Sequence, residues 1–191
     1  MEGPGGPELA RRGSWSALGA MHESSADLVW LQTMLDGSYA QAGPHIRSIF
    51  VPDSCLSASD VAASLTGIFE MHLAAITADG APLVAPIDGF FFKGKVWFGL
   101  PAAALRARLV RRDRRVSASY TRGESFAFVV HGVAREVSES DPQLAAYAAY
   151  AQDLYVSAYG PGWIKRRERS RGNPGDEYTG YIEPHRMYVK R

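Results

Sequence analysis

LAAITADGAPLVAPIDGFFFKGKVWFGL, residues 73–100, is the stretch on which the fold turns. Leu73-Ala74-Ala75-Ile76-Thr77 reads as a short apolar strand, and Ala78-Asp79-Gly80 is a hairpin turn signal. Leu83-Val84-Ala85-Pro86-Ile87 is the return strand. Phe90-Phe91-Phe92, Lys93-Gly94-Lys95 and Val96-Trp97-Phe98-Gly99 then form a second hairpin around a glycine. Parallel strands need a crossover of a dozen or more residues, and none fits between Leu73 and Phe98, so the pairing must be antiparallel.

Beyond this stretch the pattern continues. Arg106 to Arg112 has helix-forming composition and ends near Asp113. Val116 to Tyr120 alternates as a strand, and Phe126 to Val137 is a longer one. Two hairpins, a short helix and two more strands predict a closed or nearly closed sheet, because closure removes exposed strand edges. The expected fold class is mainly β with flanking helices, a small antiparallel barrel with its core at residues 71–137.

On the N-terminal side, residues 1–24 read as a tail, Gly- and Pro-rich without periodicity as far as Ser16. Leu28, Val29, Leu31 and Leu35 recur at helical spacing from Ser25, with Gly37 as the stop. Ile46 to Val51 reads as a short strand. Ser57-Ala58-Ser59-Asp60 is a helix start, and the stripe Val61, Leu65, Ile68, Phe69 predicts a helix from Ser59 to Glu70. On the C-terminal side, Asp141-Pro142 opens a helix with Leu144, Tyr147, Ala148 and Ala151 on one face through Leu154. A basic, aromatic-rich segment follows at residues 155–181, and Asn173-Pro174-Gly175-Asp176 within it is a turn. Tyr178 to Val189 supplies the last strand, interrupted at Pro184. Residues 25–191 thus read as one domain.

Composition narrows the function classes. Of 191 residues, 46% are hydrophobic and 21% charged, ordinary for a globular protein. A formal net charge of +1 predicts neither a nucleic-acid nor a membrane partner. The single cysteine, Cys55, permits no internal disulfide and fits a cytoplasmic location. The histidines show no metal-ligand spacing, and no nucleophile-elbow, Walker or His-Glu-x-x-His motif occurs. His131, alone between Val130 and Gly132, reads as a structural strand histidine.

The ordered set LAAITADGAPLVAPIDGFFF, KVWFGL, ALRARLVRRDRRVSASY and FVVHGVAREV resembles the pyridoxamine-phosphate-oxidase-like split-barrel family of flavin-binding proteins. The resemblance covers residues 56–137, with an echo in YIEPHRMYV. It implies a homodimer with FMN or the deazaflavin F420 at the subunit interface and a small conjugated substrate. Val84, Pro86, Ile87 and Asp88 would line the ring system. Phe98, Gly99, Leu100, Arg106 and Arg108 would hold the phosphate, where a planar guanidinium fork and helix amides suit an anion.

The chain also departs from that family. Ala104-Leu105-Arg106 stands where many FMN members have Ser-Arg-Lys, and Gly99-Leu100 replaces a common threonine. Two hydroxyl donors and one cation of the expected cradle are absent. The alternatives left open are F420, a different phosphate geometry, a family member that has lost its cofactor, or a non-catalytic protein holding FMN, haem or a tetrapyrrole-like ligand.

Overall fold

A computed structural model describes residues 22–163, 165 and 177–191. Its elements in chain order are α1 (Ser25–Ala40), α2 (Pro44–Ile49), α3 (Ala58–Ser64), β1 (Ile68–Ile76), β2 (Pro82–Phe92), β3 (Lys95–Pro101), α4 (Leu105–Arg112), β4 (Arg115–Thr121), β5 (Ala127–Glu136), α5 (Pro142–Tyr159) and β6 (Glu177–Lys190). The strands close into an antiparallel barrel in the order β1-β2-β3-β6-β5-β4. The hairpins read from residues 73–100 are its first three strands. The second hairpin turns through Lys93 (φ 50°) and Gly94 (φ 72°), the paired positive φ values of a tight two-residue turn.

Alternation along each strand sorts side chains into two layers. Phe69, Met71, Leu73 and Ala75 of β1 face inward with Ile87 and Phe91 of β2 and Val96, Phe98 and Leu100 of β3. Leu31 and Leu35 of α1, Val61 and Ala62 of α3, and Ala107 and Val110 of α4 join the same core. A second apolar layer lies outside the barrel, where Tyr147, Ala151, Leu154 and Tyr155 of α5 cover Phe90, Phe92 and Trp97. Trp97 is fully buried there, stacked on Tyr147 at 4.5 Å, with its Nε1 donating to the Phe92 carbonyl at 3.1 Å.

The structure corrects several expectations. The helix expected from Ser59 to Glu70 ends at Ser64, because Gly67 takes φ +80° and turns the chain into β1, which already holds Ile68 and Phe69. Gly37 does not stop α1. The helix runs on to Ala40, where Ser38 donates to the Met34 carbonyl and accepts from the Met187 amide at 2.9 Å. Ile46 to Val51 forms no strand; Pro44 starts the short α2 instead. Pro184 does not interrupt β6. A bulge opposite His131 and Gly132 takes up the irregularity, with Arg186 and Pro184 as their partners and His185 between them. The expected tail lies outside the described residues except for its last three, and so do the turn at 173–176 and residues 164 and 166–172 of the basic segment.

Candidate functional site

Period-two alternation decides which expected site residues share a face. Val84, Pro86 and Asp88 project outward from β2, and Val84 is 58% exposed. Ile87, expected beside them, points into the barrel at 8% exposure. Phe98 and Leu100 are likewise interior, at 0% and 2%, and only Gly99 between them opens outward. Three of the nine expected contacts are therefore core residues, since neighbours on a strand cannot face the same way.

The cation end is assembled by α4. Arg106 reaches across to β2, and its Nη1 donates to the Pro86 carbonyl at 2.9 Å. Partial burial lowers the pKa of that guanidinium. Arg108 is exposed and stands on the other side of the helix from this contact. At the N-terminus of α4, Ala104 offers no side-chain cap and the first turn carries no acidic residue. The amides of Leu105, Arg106 and Ala107 precede the first helical bond, which Arg108 makes to Ala104. One guanidinium and these amides make a donor set that fits an anionic group. Carboxylates also lie close in the fold: Asp88 is on the face of Pro86, and Glu177 pairs with Pro101 in register.

A cleft of about 140 Å³ opens beside Gly99, between β3, β6 and α5. Phe90, Tyr147, Tyr155, Gln152, Thr179 and Glu177 contribute to its wall. A Cβ on Gly99 would come within 2.6 Å of the Glu177 Oε1, so glycine here lets that carboxylate lie against the strand. The Tyr155 hydroxyl donates to the Asp88 Oδ2 at 2.6 Å, and the Tyr155 ring stacks on Trp163 at 4.0 Å. The sequence signalled the apolar face of α5 but not that it would roof the site. Thr179 supplies a hydroxyl near Gly99, but from β6 and not from the expected strand.

The outer face continues beyond β2. His72 of β1 lies opposite Pro86 on one side and Ser119 on the other. One row along, Val84, Ala74, Ser117, His131 and Arg186 follow one another across five strands. The Ser117 Oγ and His131 Nδ1 are 2.7 Å apart. Burial first, then the nearby His185 and Arg186, lowers the His131 pKa. Among the described residues, no group of three or more His, Cys, Asp or Glu could hold a bare metal ion, and no helix is long and apolar enough to cross a membrane.

No protein-family model matches the chain, and no curated protein does. Solved structures do. A conserved hypothetical protein from Mycobacterium tuberculosis superposes with TM-score 0.59 at 20% identity, over 73% of this chain and 87% of that one. The heme storage protein from Vibrio cholerae gives TM-score 0.50 at 16% identity, over 77% and 93%. A heme binding protein from Mycobacterium smegmatis gives 0.49 at 19%, over 65% of this chain and 49% of that chain, so the present chain spans about half its length. The likeness is one of fold: an antiparallel split β-barrel with flanking helices, the pyridoxamine-phosphate-oxidase-like architecture expected from residues 56–137.

Proposed function

We propose that the chain binds a flavin-type cofactor, FMN or F420, and acts as an oxidoreductase that passes hydride to or from a small conjugated substrate. The observation that carries this reading is the Arg106 contact to Pro86. It brings a cation and the uncapped start of α4 to the edge of an exposed strand face holding Val84 and Pro86. A phosphate-bearing cofactor needs that combination: donors at one end and an apolar face beside them. The cofactor would supply the redox chemistry, and the protein would bind it, orient it and exclude water. The face is open along β1, β2 and β4, and a second copy of the chain would cover it in a homodimer.

Fluorescence titration with FMN and F420 side by side tests this. Binding at micromolar concentration or below is expected for one of them, weakened at least tenfold by Arg106→Ala and unchanged by Arg108→Ala. Binding of neither would remove the oxidoreductase reading.

The second reading is a non-catalytic haem-binding protein. It is favoured by the imidazole of His131 on the same open face, and by fold similarity to a heme storage protein. Asp88 and Glu177 also stand where a phosphate would be least welcome. A Soret band on adding ferric haem, without flavin binding, supports it.

A further inference from the structure

We infer that His131 is the iron ligand when the chain holds haem. This rests on the haem reading above and names the residue that would carry it.

Iron is bound by a neutral imidazole nitrogen, and ligating histidines commonly donate their other ring N–H to a fixed acceptor. His131 meets that description. Its Nδ1 lies 2.7 Å from the Ser117 hydroxyl, which accepts in the tautomer with the proton on Nδ1 and leaves the Nε2 lone pair uncommitted. Among the described residues it is the only histidine whose ring nitrogen is in a hydrogen bond.

The surroundings suit a macrocycle. β5 pairs on both sides, with β4 and β6, so the backbone under His131 is held in a ladder and not in a loop. Val133 flanks the histidine on its own face, Val129 on the other side packs against Phe50 and Tyr188, and beyond Ser117 the row runs on through Ala74 and Val84. Arg186 is the direct partner of His131 on β6, so a guanidinium is at hand for a carboxylate side chain of the porphyrin. His72, two positions off on the same face, is exposed and has no such hydrogen-bonded ring nitrogen.

The test adds ferric haem to the full chain and reads Soret absorbance and electron paramagnetic resonance. Wild type should bind haem with a histidine-ligated signature. His131→Ala should lower affinity at least tenfold and lose that signature, and added imidazole should restore it. Ser117→Ala should keep the ligand but weaken binding about tenfold, the usual effect of removing a partner of a ligating histidine. His131→Gln, which keeps the size and polarity of the side chain, repeats the test if the alanine variant does not fold. Wild-type affinity and spectrum in a folded His131 variant would overturn the assignment while leaving the haem reading in place. Failure of wild type to bind haem would remove both.

Discussion

The Tyr155 hydroxyl donates to the Asp88 carboxylate at 2.6 Å, joining α5 to β2 across 67 residues of sequence. The same α5 buries Tyr147 against Trp97, so one helix both roofs the outer face of the barrel and fixes the acidic end of the candidate site.

Tyr155→Phe removes that hydrogen bond and keeps the ring that stacks on Trp163. It should cost about 1 kcal/mol, the range of a single hydrogen bond in a partly solvated setting. Urea denaturation should show a lower midpoint at unchanged slope, which distinguishes lost stability from a loosened fold.

Trp97→Ala empties the centre of the outer aromatic layer. Trp97 is fully buried, stacks on Tyr147 and bonds to the Phe92 carbonyl. The expected loss is about 3–5 kcal/mol, typical for deleting a large buried aromatic. Differential scanning calorimetry measures it. A loss below about 1 kcal/mol would mean that α5 does not pack on the barrel as described.

Gly132 of β5 lies opposite the β6 bulge, where a Cβ would collide with the Glu183 carbonyl oxygen. That neighbour is backbone and cannot swing away. Gly132→Ala should therefore cost at least about 2 kcal/mol through forced separation of β5 and β6. Hydrogen exchange should show the loss first in the amides that pair these two strands.

His131 makes stability depend on pH. Its folded pKa is held below the ordinary histidine value of 6.5 by burial, with His185 and Arg186 adding to the effect. Below pH 6.5 the unfolded chain takes up a proton that the folded chain refuses. Stability is thus present above that pH and is lost as pH falls through and below it. His131→Gln should flatten the dependence between pH 7 and pH 5, as followed by thermal melts.

Arg106→Lys separates charge from geometry. Lysine keeps the cation but has no planar fork, so it should recover only part of the anion affinity lost in Arg106→Ala. The titrations with FMN and F420 read both variants. Equal affinity for lysine and arginine would show that the Pro86 contact does not orient the group.

What the sequence determined by itself was local. Alternation and turn chemistry in residues 73–100 are set by neighbours a few positions apart, and they sufficed for the hairpins, the antiparallel sense and the barrel. Arg106 and the strand holding Val84, Pro86 and Asp88 were named through the family resemblance, and the structure brings Arg106 to the Pro86 carbonyl. Alternation also contained the answer for Ile87, Phe98 and Leu100, which resemblance had grouped with their outward neighbours. The stripe from Val61 to Phe69 misled because a strand also buries Phe69 in the core and Ile68 partly in the outer layer, and Gly67 decided the matter with its left-handed turn. The tertiary structure alone decided which residues meet across the closed barrel. Val96 pairs with Ile182, Ser117 touches His131, and Tyr155 reaches Asp88. These contacts depend on how the ends of the sheet find each other and where α5 docks. Burial and pairing between distant segments settle both, and no short window of sequence records them.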